Sequence, residues 1–247
     1  MSIESADDWK GLRRAGRIAH LTLDALEAHV HPGVSTAGLD AVAARLFASH
    51  GARSAPAMVY GFPGTVLISV NDEVVHGVPG PKRLAAGDLV KLDVTVEKDG
   101  YIADAARSVI VESGSDLATR LVDCAREAFA AALVVARAGT KVNAISRAVE
   151  TTVRARGFTV MRGLTGHGVG RAIHEAPSVP NHFDPWQRDV LTDGLVLTIE
   201  PIISAGSARI RQDRDGWTTR TADGSWSAHY EHTLAITRDR PVVLTAS

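Results

Sequence analysis

The chain reads as an α+β protein, and three observations lead there. Its helical and strand-like segments fall in alternating blocks, the second pair of blocks echoes the first, and single carboxylates interrupt otherwise apolar strands. Trp9 to about Ala28 and Thr36 to about Ser49 carry the apolar spacing of amphipathic helices, separated by the helix-stopping His31-Pro32-Gly33. Val66 to Val70, Leu89 to Val96 and Ile102 to Val111 are rich in β-branched residues and bounded by turn residues, as strands are. Asp116 to about Arg137 and Asn143 to about Arg156 return to helical spacing, and a second strand-rich block runs on from Phe158.

The echo has an offset of about 106 residues, long enough for a duplicated half. Gly33 opens a helix that closes at Gly51, and Gly139 opens one that closes at Gly157. GDLVKLD (87–93) resembles GLVLTIE (194–200), each a hydrophobic run ending in a carboxylate, and VHGVP (75–79) echoes IHEAP (173–177), pairing His76 with His174. One domain of two pseudo-symmetric halves is expected, about 1–111 and 112–247.

Strand parity says where the carboxylates point. In LVKLDVTV, Val90, Leu92, Val94 and Val96 share one face, so Lys91, Asp93 and Thr95 share the other. Asp99-Gly100 is a tight-hairpin signal that would set Asp104 opposite Thr95. Asp93 and Asp104 then lie diagonally on one face, roughly 5–8 Å apart. Two carboxylates that close repel unless a proton or cation lies between them. Taken alone, the hairpin could equally carry two solvated aspartates. Glu200, ending LVLTIE, and Glu231, interrupting HYEHTLAIT, add two more carboxylates to apolar strands, and buried carboxylates need partners.

The stretch TGHGVGRAIHEAPSV (165–179) adds His167 and His174. A zinc-protease helix would space two histidines four apart on one face; these are further apart, among glycines that disfavour a helix. Imidazole with several carboxylates is a donor set suited to paired divalent transition metals, and the single cysteine rules out a thiolate zinc site.

Bulk properties narrow the classes of function. An apolar fraction of 45% is that of a globular chain, and 27 Lys plus Arg against 28 Asp plus Glu leave neither a nucleic-acid footprint nor a basic membrane surface. The start of the chain is acidic, unlike a signal peptide, and the most apolar run, AFAAALVVA (128–136), is about half the length of a spanning helix. The expectation is a cytoplasmic monomer. Cys124 lies on the apolar stripe of its helix with Leu117, Leu121, Ala128 and Ala132, which makes it core.

NDEVVHGVP (71–79), KLDVTVEKDGYIADAARSVIV (91–111), TGHGVGRAIHEAP (165–177), TIEPII (198–203) and SAHYEHT (227–233) together resemble the type I methionine aminopeptidases, in order and over nearly the whole chain. The resemblance implies the pita-bread fold, a pseudo-twofold antiparallel sheet covered on one side by two pairs of helices, with a dinuclear metal site on the other. It implies two divalent ions (Co, Mn, Fe or Zn) held by Asp93, Asp104, His167, Glu200 and Glu231, with Asp104 and Glu231 bridging. It makes Glu200 the proton acceptor and places His76 and His174 beside the substrate without ligating metal. Phe62, Leu67 and Trp217 would line a methionine pocket, with Met58 and Val59 nearby, and backbone oxygens near Asn71 and Glu73 with Ser227 would bind a monovalent cation. The activity implied is removal of initiator methionine from nascent chains and peptides with a small second residue, with a transient ribosome contact through the folded surface.

The departures are Val75 and Thr165, where relatives often have cysteine, Ala176, where a second acidic residue is usual, and His229, where glutamine is common. None is among the implied ligands. An Xaa-Pro aminopeptidase or dipeptidase of the same fold would keep the five ligands but generally has a large extra amino-terminal domain. A non-catalytic module would have lost ligands, and a dinuclear phosphoesterase would need more histidines and cationic phosphate clamps.

Overall fold

The computed structural model describes residues 1–246. Helix α1 (Ala6–Ala28) begins at a capping box, in which the Ser5 hydroxyl and the Asp8 carboxylate each take the other's backbone N–H. Helix α2 (Thr36–His50) starts at Ser35 and stops where Gly51 turns left-handed at φ 58°. A short α3 (Ala55–Tyr60) follows, its Ser54 hydroxyl capping Ala57 and Pro56 in its first turn. Its residues show no period because it is barely two turns long; caps define it, and the sequence reading passes it over. The second helix pair is α4 (Asp116–Val135) and α5 (Val142–Ala155).

The main sheet runs in the order Arg53–Ser54, Leu89–Lys98, Tyr101–Ile110, Glu231–Ala235, Val196–Ile199, Thr165–Gly168, Glu175–Pro180. Every pairing is antiparallel; Leu67–Val70 also pairs with Leu89–Lys98, and Val242–Val243 with Glu231–Ala235. The Asp99-Gly100 turn, with both residues at positive φ, sets Thr95 against Asp104 as expected.

Both helix pairs pack on one face. Ile18 and Leu23 of α1 with Leu39 and Phe47 of α2 cluster on Leu92, Val94 and Ala105, while Leu121 and Cys124 of α4 with Ile145 and Val149 of α5 cluster on Leu197, Ile199 and Leu234. Leu23, Leu39, Leu92, Val94 and Leu121 are fully buried, each contributing about 1.5–3 kcal/mol of apolar burial.

The two halves repeat in detail. Gly33 donates to the Leu84 carbonyl and Gly139 to that of Leu191, with φ of 85° and 88°. The isolated bridge Ser35↔Arg83 has its counterpart in Lys141↔Val190. The strands Tyr101–Ile110 and Glu231–Ala235 pair near the centre of the main sheet. Two three-stranded sheets complete the chain; one carries Ser227–His229, and the other joins Glu73–Val75 to Thr219–Thr221 beside Trp217.

Candidate metal centre

Alternation along the strands sends the carboxylates away from the helices. Asp93 and Asp104 come from the hairpin, Glu231 opens its strand opposite Ala106, and Glu200 follows the last residue of Val196–Ile199. His167 reaches the same place from Thr165–Gly168, at the foot of a hairpin with Glu175–Pro180, so it lies on extended chain as expected, whereas His174 lies in the bend of residues 171–174 just before the second strand. All five line a cavity of about 270 Å³, together with His76, His174, Phe62, Leu67 and Trp217. Donor atoms of Asp104, His167 and Glu231 lie within 4.8 Å of one another, and so do those of Glu200, His229 and Glu231.

Buried hydroxyls hold these groups in place. Thr95 donates to the Asp104 carboxylate at 2.9 Å. Thr198 accepts from the His167 N–H at 3.0 Å and donates to Glu200 at 2.8 Å. Thr233 bonds both the N–H and the carbonyl of Asp104 at 2.8 Å, and Ser108 does the same for His229. Each hydroxyl ties one strand of the floor to the next.

The electrostatics call for a cation. Burial pushes Asp104 up to about 6. Burial, reinforced by the neighbouring carboxylates, holds Asp93, Glu200 and Glu231 well above the usual carboxylate range. The Nδ1 of His167 faces the Gly168 carbonyl at 2.9 Å, which can only accept, so Nδ1 carries the proton and Nε2 has a free lone pair. That lone pair stands 3.5 Å from a Glu200 oxygen, and Glu231 Oε1 is buried without a hydrogen-bond partner. Carboxyls that burial and mutual repulsion push toward the protonated form, converging with an imidazole lone pair, are a donor set that a divalent cation would neutralise in place of those protons.

The rim and walls hold the remaining expected residues. His174 is exposed, 4.3 Å from His167 between ring centroids, and its Nδ1 meets the Tyr60 hydroxyl at 2.7 Å. His76 sits at φ 60° and also lines the cavity. Phe62 and Trp217 meet edge to face at 5.3 Å beside Leu67, forming an apolar wall, whereas Met58 and Val59 are 46% and 49% exposed and lie outside it. The sequence reading missed Tyr60, which the capped α3 delivers, and gave His229 no role, although its place two residues before Glu231 was a parity signal. Around the expected monovalent site, Ser227 Oγ lies 3.3 Å from the carbonyls of both Asn71 and Glu73. The buried Lys91 amine donates to the Asn71 carbonyl at 2.7 Å, so a group of the chain's own already takes one of the expected oxygens, with burial bringing that amine down to about 7.

An antiparallel sheet with duplicated halves and a carboxylate-imidazole centre on its uncovered face defines a class of metal-dependent hydrolases. The model of metallopeptidase family M24 matches residues 10–238, and the chain belongs to that family. It is 41% identical to methionine aminopeptidase 2 of Bacillus subtilis (strain 168) over 247 residues, covering 99% of each chain. Its fold superposes on the methionine aminopeptidase of Thermotoga maritima with a TM-score of 0.97, at 33% identity and with 100% of each chain covered. The prolidase of Pyrococcus furiosus shares the fold alone, with a TM-score of 0.80 at 22% identity, and the chain spans 65% of it. The pita-bread arrangement is thus the fold of this chain.

Proposed function

We propose that this chain removes the amino-terminal methionine from peptides and nascent chains whose second residue is small, as one catalytic domain of two halves, 1–111 and 112–247. The observation that carries this reading is the convergence of Asp93, Asp104, His167, Glu200 and Glu231 on the floor of a cavity whose wall, Phe62, Leu67 and Trp217, is apolar and of side-chain size. These five residues would hold two divalent ions, Co, Mn, Fe or Zn. When bound, the ions supply hydroxide near neutral pH, polarise the scissile carbonyl and anchor a free α-amine.

Glu200 takes the proton of the attacking water and returns it to the leaving amine, a role suited to a carboxylate steadied by the Thr198 hydroxyl. With the Tyr60 hydroxyl donating to Nδ1 of His174, the proton of that ring sits on Nε2, where it can be given to the developing oxyanion. His76, which lines the same cavity, meets the substrate near the scissile bond and narrows the space for its second side chain. The apolar wall takes the thioether.

Xaa-Pro cleavage is less well supported, because Trp217 and Phe62 close the wall in a way that suits a linear side chain. Among the described residues no helix is long and apolar enough to cross a membrane. A monomer that meets nascent chains through a transient ribosome contact, with no nucleic-acid or membrane partner, fits the balanced charge. Because the Lys91 amine already occupies the Asn71 carbonyl, a bound monovalent cation at Asn71, Glu73 and Ser227 is a minor part of this reading.

The test compares peptides at equal concentration in the presence of added divalent metal. Met-Ala-Ser and Met-Gly peptides should lose methionine, while Met-Lys and amino-acetylated peptides stay intact. Cleavage of Ala-Pro without cleavage of Met-Ala-Ser would overturn the assignment.

A further inference from the structure

His229 is the residue that the five-donor scheme leaves without a task. It is 2% exposed, and its backbone is pinned through both its N–H and its carbonyl to the Ser108 hydroxyl. Yet neither ring nitrogen has a hydrogen-bond partner. An imidazole so deeply buried ordinarily donates from one nitrogen and accepts at the other, because an unpartnered polar group in the interior costs free energy. Here the ring lines the cavity, with Nε2 3.3 Å from Glu231 Oε2.

Five of the donors form two triples joined at Glu231, and Asp93 lines the same cavity outside both. One is Asp104, His167 and Glu231; the other is Glu200, His229 and Glu231; within each, the donor atoms lie inside 4.8 Å. Each triple has one imidazole and two carboxylates, and the shared Glu231 is the group that would bridge. The orphaned Glu231 Oε1 lies in the same cluster as the orphaned ring. Placing a cation in each triple gives His229 a partner.

We propose that His229 is a metal ligand, so that this chain offers one imidazole to each of two divalent ions. The inference rests on the metallopeptidase reading above. It adds a nitrogen donor to a set otherwise dominated by oxygen, which shifts the site toward the later first-row metals that imidazole suits. A glutamine at this position would offer a weaker oxygen donor or none.

X-ray absorption of the full chain loaded with two equivalents of cobalt tests this, because outer-shell scattering from imidazole counts rings per ion. One imidazole per ion is expected in the parent. In His229→Gln the count should fall to one ring per two ions, and calorimetry should show one cobalt dissociation constant raised at least about tenfold with the other unchanged. A parent that binds two ions with a single imidazole between them overturns this inference and leaves the proposed function standing. A parent that binds no divalent ion overturns both. The parent spectrum decides the matter even if the variant fails to fold, and a tenfold affinity loss without a fall in ring count would make His229 a positioning residue for Glu231 and overturn the ligand role.

Discussion

Replacing Thr198 by valine removes one oxygen and keeps the shape, in a residue with no exposed surface. That oxygen makes two bonds, accepting from the His167 N–H at 3.0 Å and donating to Glu200 at 2.8 Å. The buried N–H would be left unpaired, which costs about 1–3 kcal/mol, and the bond to Glu200, which burial holds toward the neutral acid in the metal-free protein, adds about 0.5–1.5 kcal/mol. Relaxation of Glu200 recovers part of this, so the expected loss is about 1–4 kcal/mol, or roughly 3–12 °C in Tm for a chain of this size. Because the same hydroxyl aims two of the proposed ligands, divalent-metal affinity should fall about 10–100-fold as well. Thr198→Ser keeps the oxygen and loses one methyl, about 0.8 kcal/mol, and should bind metal like the parent. Urea denaturation of the metal-free proteins and calorimetric metal titration measure the two effects separately. If Thr198→Val and Thr198→Ser agree within about 0.5 kcal/mol and bind metal equally, the hydroxyl does not hold the site together and the argument fails.

Two further substitutions probe the roles proposed for individual side chains. Glu200→Gln retains an oxygen donor and removes the proton acceptor, so kcat on Met-Ala-Ser should fall by at least about 10²-fold with only modest weakening of metal binding; a metal-loaded variant with near-parental kcat would remove Glu200 from proton transfer. His174→Ala should lose most turnover while elemental analysis still finds both ions, since His174 stands exposed at the rim against Tyr60; loss of one ion would mean that His174, and not His167, faces the metal.

The linear order of residues determined more of this protein than its secondary structure. Alternation along LVKLDVTV is a property of neighbours in the chain, so it put Leu92 and Val94 under the helices and Asp93 on the opposite face before any packing was known. The Asp99-Gly100 turn is equally local, and it alone set Thr95 against Asp104. The glycines at 33 and 139 take matching left-handed turns, which need no distant contact.

What only the tertiary structure decided is the company each polar group keeps. Thr198 meets His167, Thr233 meets Asp104 and Ser108 meets His229 across strands far apart in sequence, and no period in the chain encodes those pairings. Tyr60 reaches His174 only because α3 turns after a two-residue strand. His229 looked like a neutral variation until the sheet buried it beside Glu231 with nothing to bond. The raised carboxylates belong to the same class, since burial and mutual repulsion act through space, and the distance between two charges in the fold is independent of their separation along the chain.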